Sequence, residues 1–128
     1  MFLLSFSLFA AERETFRDSR GRLQGTAVTS GARTIYRDNR GRVSYTARQQ
    51  GKVTSYYDSS GRRIGSATEN NRRTIYRNTS GRITGTATAN GNHTTYRNAS
   101  GQRIGSASVS GKTTIYRDTR GRIYGSKK

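Results

Sequence analysis

Arginine beside an aromatic ring, repeated at a fixed interval, is the pattern in this chain best suited to chemistry. Arg17, Arg37, Arg77, Arg97 and Arg117 each follow Phe16, Tyr36, Tyr76, Tyr96 or Tyr116, and Tyr56 continues the aromatic series. A second series, Arg22, Arg42, Arg62, Arg82 and Arg122, recurs at the same interval. A guanidinium can hold phosphate, sulfate or carboxylate through its planar fork. Twenty-four Lys and Arg against seven Asp and Glu give a net charge of +17. Such a field attracts nucleic acid, anionic lipid, lipopolysaccharide, teichoic acid or sulfated glycan. The two Arg series are therefore candidate polyanion-binding residues. Tyr36, Tyr56, Tyr76, Tyr96 and Tyr116 are candidate stacking platforms for bases or sugar rings. Each has a structural alternative: Arg42 can pair with Asp38 across a hairpin, and a tyrosine in every repeat can pack neighbouring units together.

Other chemistry finds little support in the residue types. The acids are Glu12, Glu14, Asp18, Asp38, Asp58, Glu69 and Asp118, and the recurring Asp becomes Asn78 and Asn98 in two repeats. Asn can cap a turn but cannot serve as a general base or carboxylate nucleophile, so that column reads as structural. The single His, His93, falls in a turn region, and there is no Cys. No spacing suits zinc or an EF-hand, and no glycine-rich strand-to-helix motif cradles phosphate. The expectation is a non-enzymatic chain with no cofactor, no metal and no small-molecule substrate.

The elements that carry these residues follow from a twenty-residue unit. Repeats start at residues 14, 34, 54, 74, 94 and 114, the last one shortened, with no insertion or deletion. A fixed short period means that each unit leans on its neighbours to bury a face. The fifth position is Asp or Asn, and Gly21, Gly41, Gly61, Gly81, Gly101 or Gly121 follows three residues later. That spacing predicts a type I turn from the Asx residue with a positive-φ glycine, closing a three-residue hairpin loop with a G1 bulge. A looser turn is expected at Gly31, Gly51, Asn71, Gly91 and Gly111. Thr-, Ile-, Tyr- and Val-rich runs between them suit strands. Simple alternation would put Ile35, Arg37, Val43 and Ala47 on one face and Thr34, Tyr36, Asp38, Arg42 and Thr46 on the other. The aliphatic residue moves one place, to Ile64 and Ile104, in two repeats, which changes its face unless a bulge absorbs the shift. The predicted fold is all-β, an elongated array of about six hairpin repeats forming a meander or coiled ribbon. Dense Arg and Lys would guard its open edges.

Residues 1–11, MFLLSFSLFAA, stand outside the repeat. They are apolar and end in small residues, as in the h-region and cleavage site of a secretory signal peptide, although no Lys or Arg precedes them. They are too short to span a bilayer as a helix. The alternative is a capping strand or helix on the first repeat. The remainder, residues 12–128, reads as one hairpin array.

The run Tyr57-Asp58-Ser59-Ser60-Gly61-Arg62 resembles the YD repeat, Y-D-x-x-G-R followed by an aliphatic residue, of Rhs-type bacterial surface proteins and teneurins. Other repeats insert one residue, as in Tyr36-Arg37-Asp38-Asn39-Arg40-Gly41-Arg42-Val43. The likeness spans residues 14–128 and implies extracellular hairpin arrays that coil into a shell or stalk. The unit is also similar to the hairpin repeats of Gram-positive wall-binding proteins, but their aromatic cages use Trp, which is absent here. A parallel solenoid would stack the Arg column at about 4.8 Å, where like charges repel. The resulting expectation is an exported structural or adhesive protein: secreted, periplasmic or at the cell surface, and holding an anionic polymer. Membrane contact would come only through an uncleaved N-terminal segment. The alternatives are a cytoplasmic nucleic-acid-binding protein and a fragment of a larger Rhs-like repeat protein.

Overall fold

The computed structural model describes residues 12–128, so the expected signal peptide at residues 1–11 lies outside the described residues. The described chain is all-β and antiparallel. Its strands are β1 (Glu12–Asp18), β2 (Leu23–Ser30), β3 (Arg33–Asp38), β4 (Val43–Gln50), β5 (Val53–Asp58), β6 (Arg63–Asn70), β7 (Arg73–Arg77), β8 (Ile83–Asn90), β9 (His93–Asn98), β10 (Arg103–Ser110), β11 (Thr113–Arg117) and β12 (Ile123–Lys127). Each pairs with its sequence neighbours, and β1 also pairs with β12, closing a twelve-stranded up-and-down barrel.

Closure corrects the expected elongated array, and its physical basis is the register. Between repeats, Gly25 faces Asp38 and Thr26 faces Arg37. At the seam Gly125 faces Asp18 and Ser126 faces Arg17, the same pairing transposed by the repeat. The first strand therefore meets the last as the opening strand of a following repeat would. Thr15 and Lys128 complete the seam with reciprocal backbone hydrogen bonds of 2.8 and 2.9 Å. Closure removes both unpaired edges, a stronger remedy than charge along them. Tracing facing residues from Phe16 to Gly25 to Asp38 advances the register two residues beyond one repeat, giving a shear of twelve for twelve strands. Equal shear and strand number tilt the strands about 35° and set a wall radius of about 11 Å.

Both turn types form, with their sizes ranked differently from the expectation. At each Asx turn the glycine N–H donates to the Asx carbonyl, as from Gly21 to Asp18 at 3.0 Å, and all six glycines have φ between 80° and 87°. The other connections, expected to be looser, are two-residue loops: Ser30 faces Arg33 across Gly31 and Ala32. Gly31 has φ 60° and Asn71 has φ 56°, each in the first loop position, as a type II′ turn requires.

A β-bulge follows every Asx turn and corrects the expected faces. Tyr36 faces Tyr45 and Arg37 faces Val43, so Ser44 is an extra residue in β4. Gln24, Ile64, Thr84, Ile104 and Tyr124 are its counterparts. The bulge brings Ala47, opposite Thr34, onto the tyrosine face and places Thr46 opposite Ile35. It also absorbs the aliphatic shift. Leu23, Ile83 and Ile123 precede the extra residue, Ile64 and Ile104 occupy it, and all five are exposed.

The tyrosine face points inward. Phe16, Tyr36, Tyr76, Tyr96 and Tyr116 are buried, as are Ala27, Ala47, Ala67, Ala87 and Ala107 between them, and half-buried Tyr56 packs against both halves of the core. Wide rings fill a wide lumen while alanines leave them room. Each buried ring contributes about 2–3 kcal/mol of gross hydrophobic stabilisation. Tyr45 adds a ring, stacked on Tyr36 with centroids 4.2 Å apart.

Candidate functional site

Up-and-down closure gathers all the Asx turns at one end of the barrel and the two-residue turns at the other. Fifteen of the twenty-four Lys and Arg and four of the seven acids lie in the Asx-turn half, leaving +11 there and +6 in the other half. The Asx end is therefore an arginine rim.

Each turn at this rim is built around its Asx side chain. Asp38 Oδ1 accepts hydrogen bonds from the backbone N–H groups of Arg40 and Arg42 at 2.9 and 3.0 Å, and Asn78 Oδ1 does the same for Ser80 and Arg82. Hydrogen bonds from the backbone N–H groups of Arg22, Arg42, Arg62 and Arg122 lead in holding the carboxyls of Asp18, Asp38, Asp58 and Asp118 below the usual range. Arg22, Arg42, Arg62 and Arg122 pair through Nε with those carboxylates at 3.0, 3.1, 3.5 and 3.2 Å. Their side chains nevertheless stay 69–83 % exposed. Asn78 leaves Arg82 without a carboxylate in its turn.

The other series lies on the outer wall just below. Arg17, Arg37 and Arg97 donate through Nη1 to the carbonyls of Gly21, Gly41 and Gly101 at 3.0–3.1 Å. The turn thereby fixes each guanidinium. Arg77 and Arg117 are half-buried rather than exposed. The fold thus brings the two Arg series together around one rim.

The tyrosines proposed for stacking lie inside the barrel. Tyr36, Tyr76, Tyr96 and Tyr116 are 3–6 % exposed, while Tyr56 is half-buried. Burial pushes their phenol pKa values upward, to about 12 for Tyr96 and further for Tyr36, Tyr76 and Tyr116.

A feature missed at the sequence level lies between consecutive bulges. Gln24, Gly25, Thr26, Tyr36, Arg37 and Ser44 line a cleft of about 160 Å³. The equivalent residues two repeats later, Ile64, Gly65, Ser66, Tyr76, Arg77 and Thr84, line one of about 330 Å³ with Tyr45 and Tyr56. Thr84, Gly85, Thr86, Tyr96, Arg97 and Ile104 repeat it at about 120 Å³. The signal was a third glycine column, Gly25, Gly65, Gly85, Gly105 and Gly125, interrupted only by Tyr45. A Cβ on Gly65 would lie 2.6 Å from the Arg77 carbonyl oxygen, so a side chain here would require the strands to move apart.

At the opposite end, Glu14 and Lys127 form an ion pair of 2.6 Å beside a mouth of about 590 Å³. They occupy columns that elsewhere hold Thr and Ala. His93 is exposed, with Nδ1 3.3 Å from Ser108 Oγ. Among the described residues no group of three His, Cys, Asp or Glu could hold a metal. Among the described residues no helix is long and apolar enough to cross a membrane. Comparisons with protein-family models, curated proteins and solved structures returned no match.

Proposed function

We propose that this chain is a non-enzymatic, exported structural or adhesive module that holds an anionic polymer on its arginine rim. One observation carries the reading: +11 of the +17 net charge lies in the Asx-turn half, and the guanidinium groups stay exposed even where they pair with Asp. Turn carboxylates and glycine carbonyls orient these groups in advance, lowering the ordering cost of binding. The resemblance of the hairpin unit to YD repeats and the apolar residues 1–11 favour a cell-surface or secreted setting.

Affinity for heparin, lipopolysaccharide or single-stranded DNA is expected to fall by roughly 10³ or more between 50 and 200 mM salt if six or more charges engage a DNA-like polymer. Replacing Arg77, Arg82 and Arg117 by Gln should reduce the logarithmic salt slope on single-stranded DNA by about 2. Salt-insensitive binding of a neutral sugar contradicts this reading. Export is checked by intact mass of protein from its native host, where the mature chain is expected to begin near Ala11 or Glu12. Retention of Met1 argues for the cytoplasmic alternative.

A further inference from the structure

The three clefts between bulges share one construction. Each is lined by a glycine, a tyrosine, hydroxyl side chains and an arginine, and the Asp38 carboxylate that also lines the first is already engaged by the Arg40 and Arg42 backbone N–H groups and by Arg42 Nε. We propose that each cleft takes one acidic sugar ring, so that the ligand of the rim is an acidic polysaccharide carrying uronate or sulfate groups. This rests on the polyanion reading above and gives it a ligand class.

Size, lining and repetition support the assignment. Volumes of about 120 to 330 Å³ range from well below to just above the low end for small-molecule sites, about 300 Å³, which suits a single ring. Thr26 and Ser44 in one cleft, and Ser66 in another, offer hydroxyls that donate and accept, while the Thr84 hydroxyl, which donates to the Tyr76 carbonyl at 3.3 Å, can still accept, matching a hydroxylated ring. Arg37 and Arg97 are steadied by glycine carbonyls, and Arg77 lines the widest cleft; each can bind a carboxylate or sulfate through its fork. A nucleobase would need an open aromatic face, whereas Tyr36 already stacks on Tyr45 and only 4 % of Tyr76 is exposed. The clefts at Gly65 and Gly85 lie two strands apart, about 12 Å around the wall, and those at Gly25 and Gly65 lie four strands apart, about 23 Å. One polymer can therefore engage several clefts, and avidity can exceed single-cleft affinity by 10²–10⁴.

The test is amide NMR titration of the full chain with a sulfated heparin disaccharide, heparin polymer, cellobiose and trithymidylate. The disaccharide is expected to shift the Gly25, Gly65 and Gly85 amides. Cellobiose should leave them unmoved, and trithymidylate should perturb only the Asx turns. Arg77→Gln should abolish the Gly65 shift while preserving those of Gly25 and Gly85, a selective loss that unfolding cannot mimic. Salt-dependent heparin binding with disaccharide shifts confined to the turns overturns the cleft assignment and leaves the polyanion reading standing. Failure of both heparin and disaccharide to bind overturns both, and equal glycine shifts with trithymidylate overturn the sugar class.

Discussion

Backbone conformation at single residues decides where this chain turns, and the two turn types make opposite predictions. Gly81 has φ 84° in an Asx turn, which a β-branched side chain tolerates poorly. Gly81→Val should cost more than about 1 kcal/mol in denaturant unfolding. Asn71 adopts φ 56° at a position filled by glycine in the other described two-residue loops. Asn71→Gly should therefore stabilise by a few tenths to about 1 kcal/mol in the same assay. A destabilised Asn71→Gly variant would show that another interaction of Asn71 outweighs its backbone strain. The turns were legible from sequence because Asx-x-x-Gly is local chemistry. The clefts were not, because the Gly65 constraint comes from the Arg77 carbonyl on a neighbouring strand.

Strands and their bulges explain which parts of the array could be anticipated. Residue types did not decide which face is the core, and simple alternation placed Ala47 with Ile35, whereas the extra residue Ser44 brings it opposite Thr34 on the inward tyrosine face. No residue type announces that bulge, since Ser, Gln, Ile, Thr and Tyr all occupy it. Closure was equally hidden, since it depends on twist and shear accumulated over six repeats. The seam does have a sequence mark in Glu14 and Lys127, which replace Thr and Ala only where β1 meets β12. Both side chains are largely buried, so breaking the pair strands a charge. In a double-mutant cycle, Glu14→Thr and Lys127→Ala should each destabilise. The double variant, carrying the repeat's own residues, should recover roughly 1 kcal/mol of their sum. Strict additivity would deny the pair a role in closure.

At the scale of the whole molecule, a lumen filled with neutral phenols sets an alkaline limit. Burial leads in raising the pKa values of Tyr36, Tyr76, Tyr96 and Tyr116 above the ordinary 10.0. Above pH 10 the unfolded chain therefore binds fewer protons than the folded one, and stability falls as pH rises. Below pH 10 this contribution is fully present. Alkaline titration followed at the tyrosinate absorbance should show the buried rings ionising together with loss of the barrel; independent ionisation near pH 10 without unfolding would place them in water. The central claim is closure itself, because the barrel gathers the arginines into one rim. Small-angle scattering on residues 12–128 tests it most directly. A compact chain of this length should give a radius of gyration of about 13–14 Å. Twelve strands laid side by side at about 4.8 Å would extend nearly 60 Å and give about 18 Å instead. A value near 14 Å is the result expected here, and one of 18 Å or more would contradict the closed barrel.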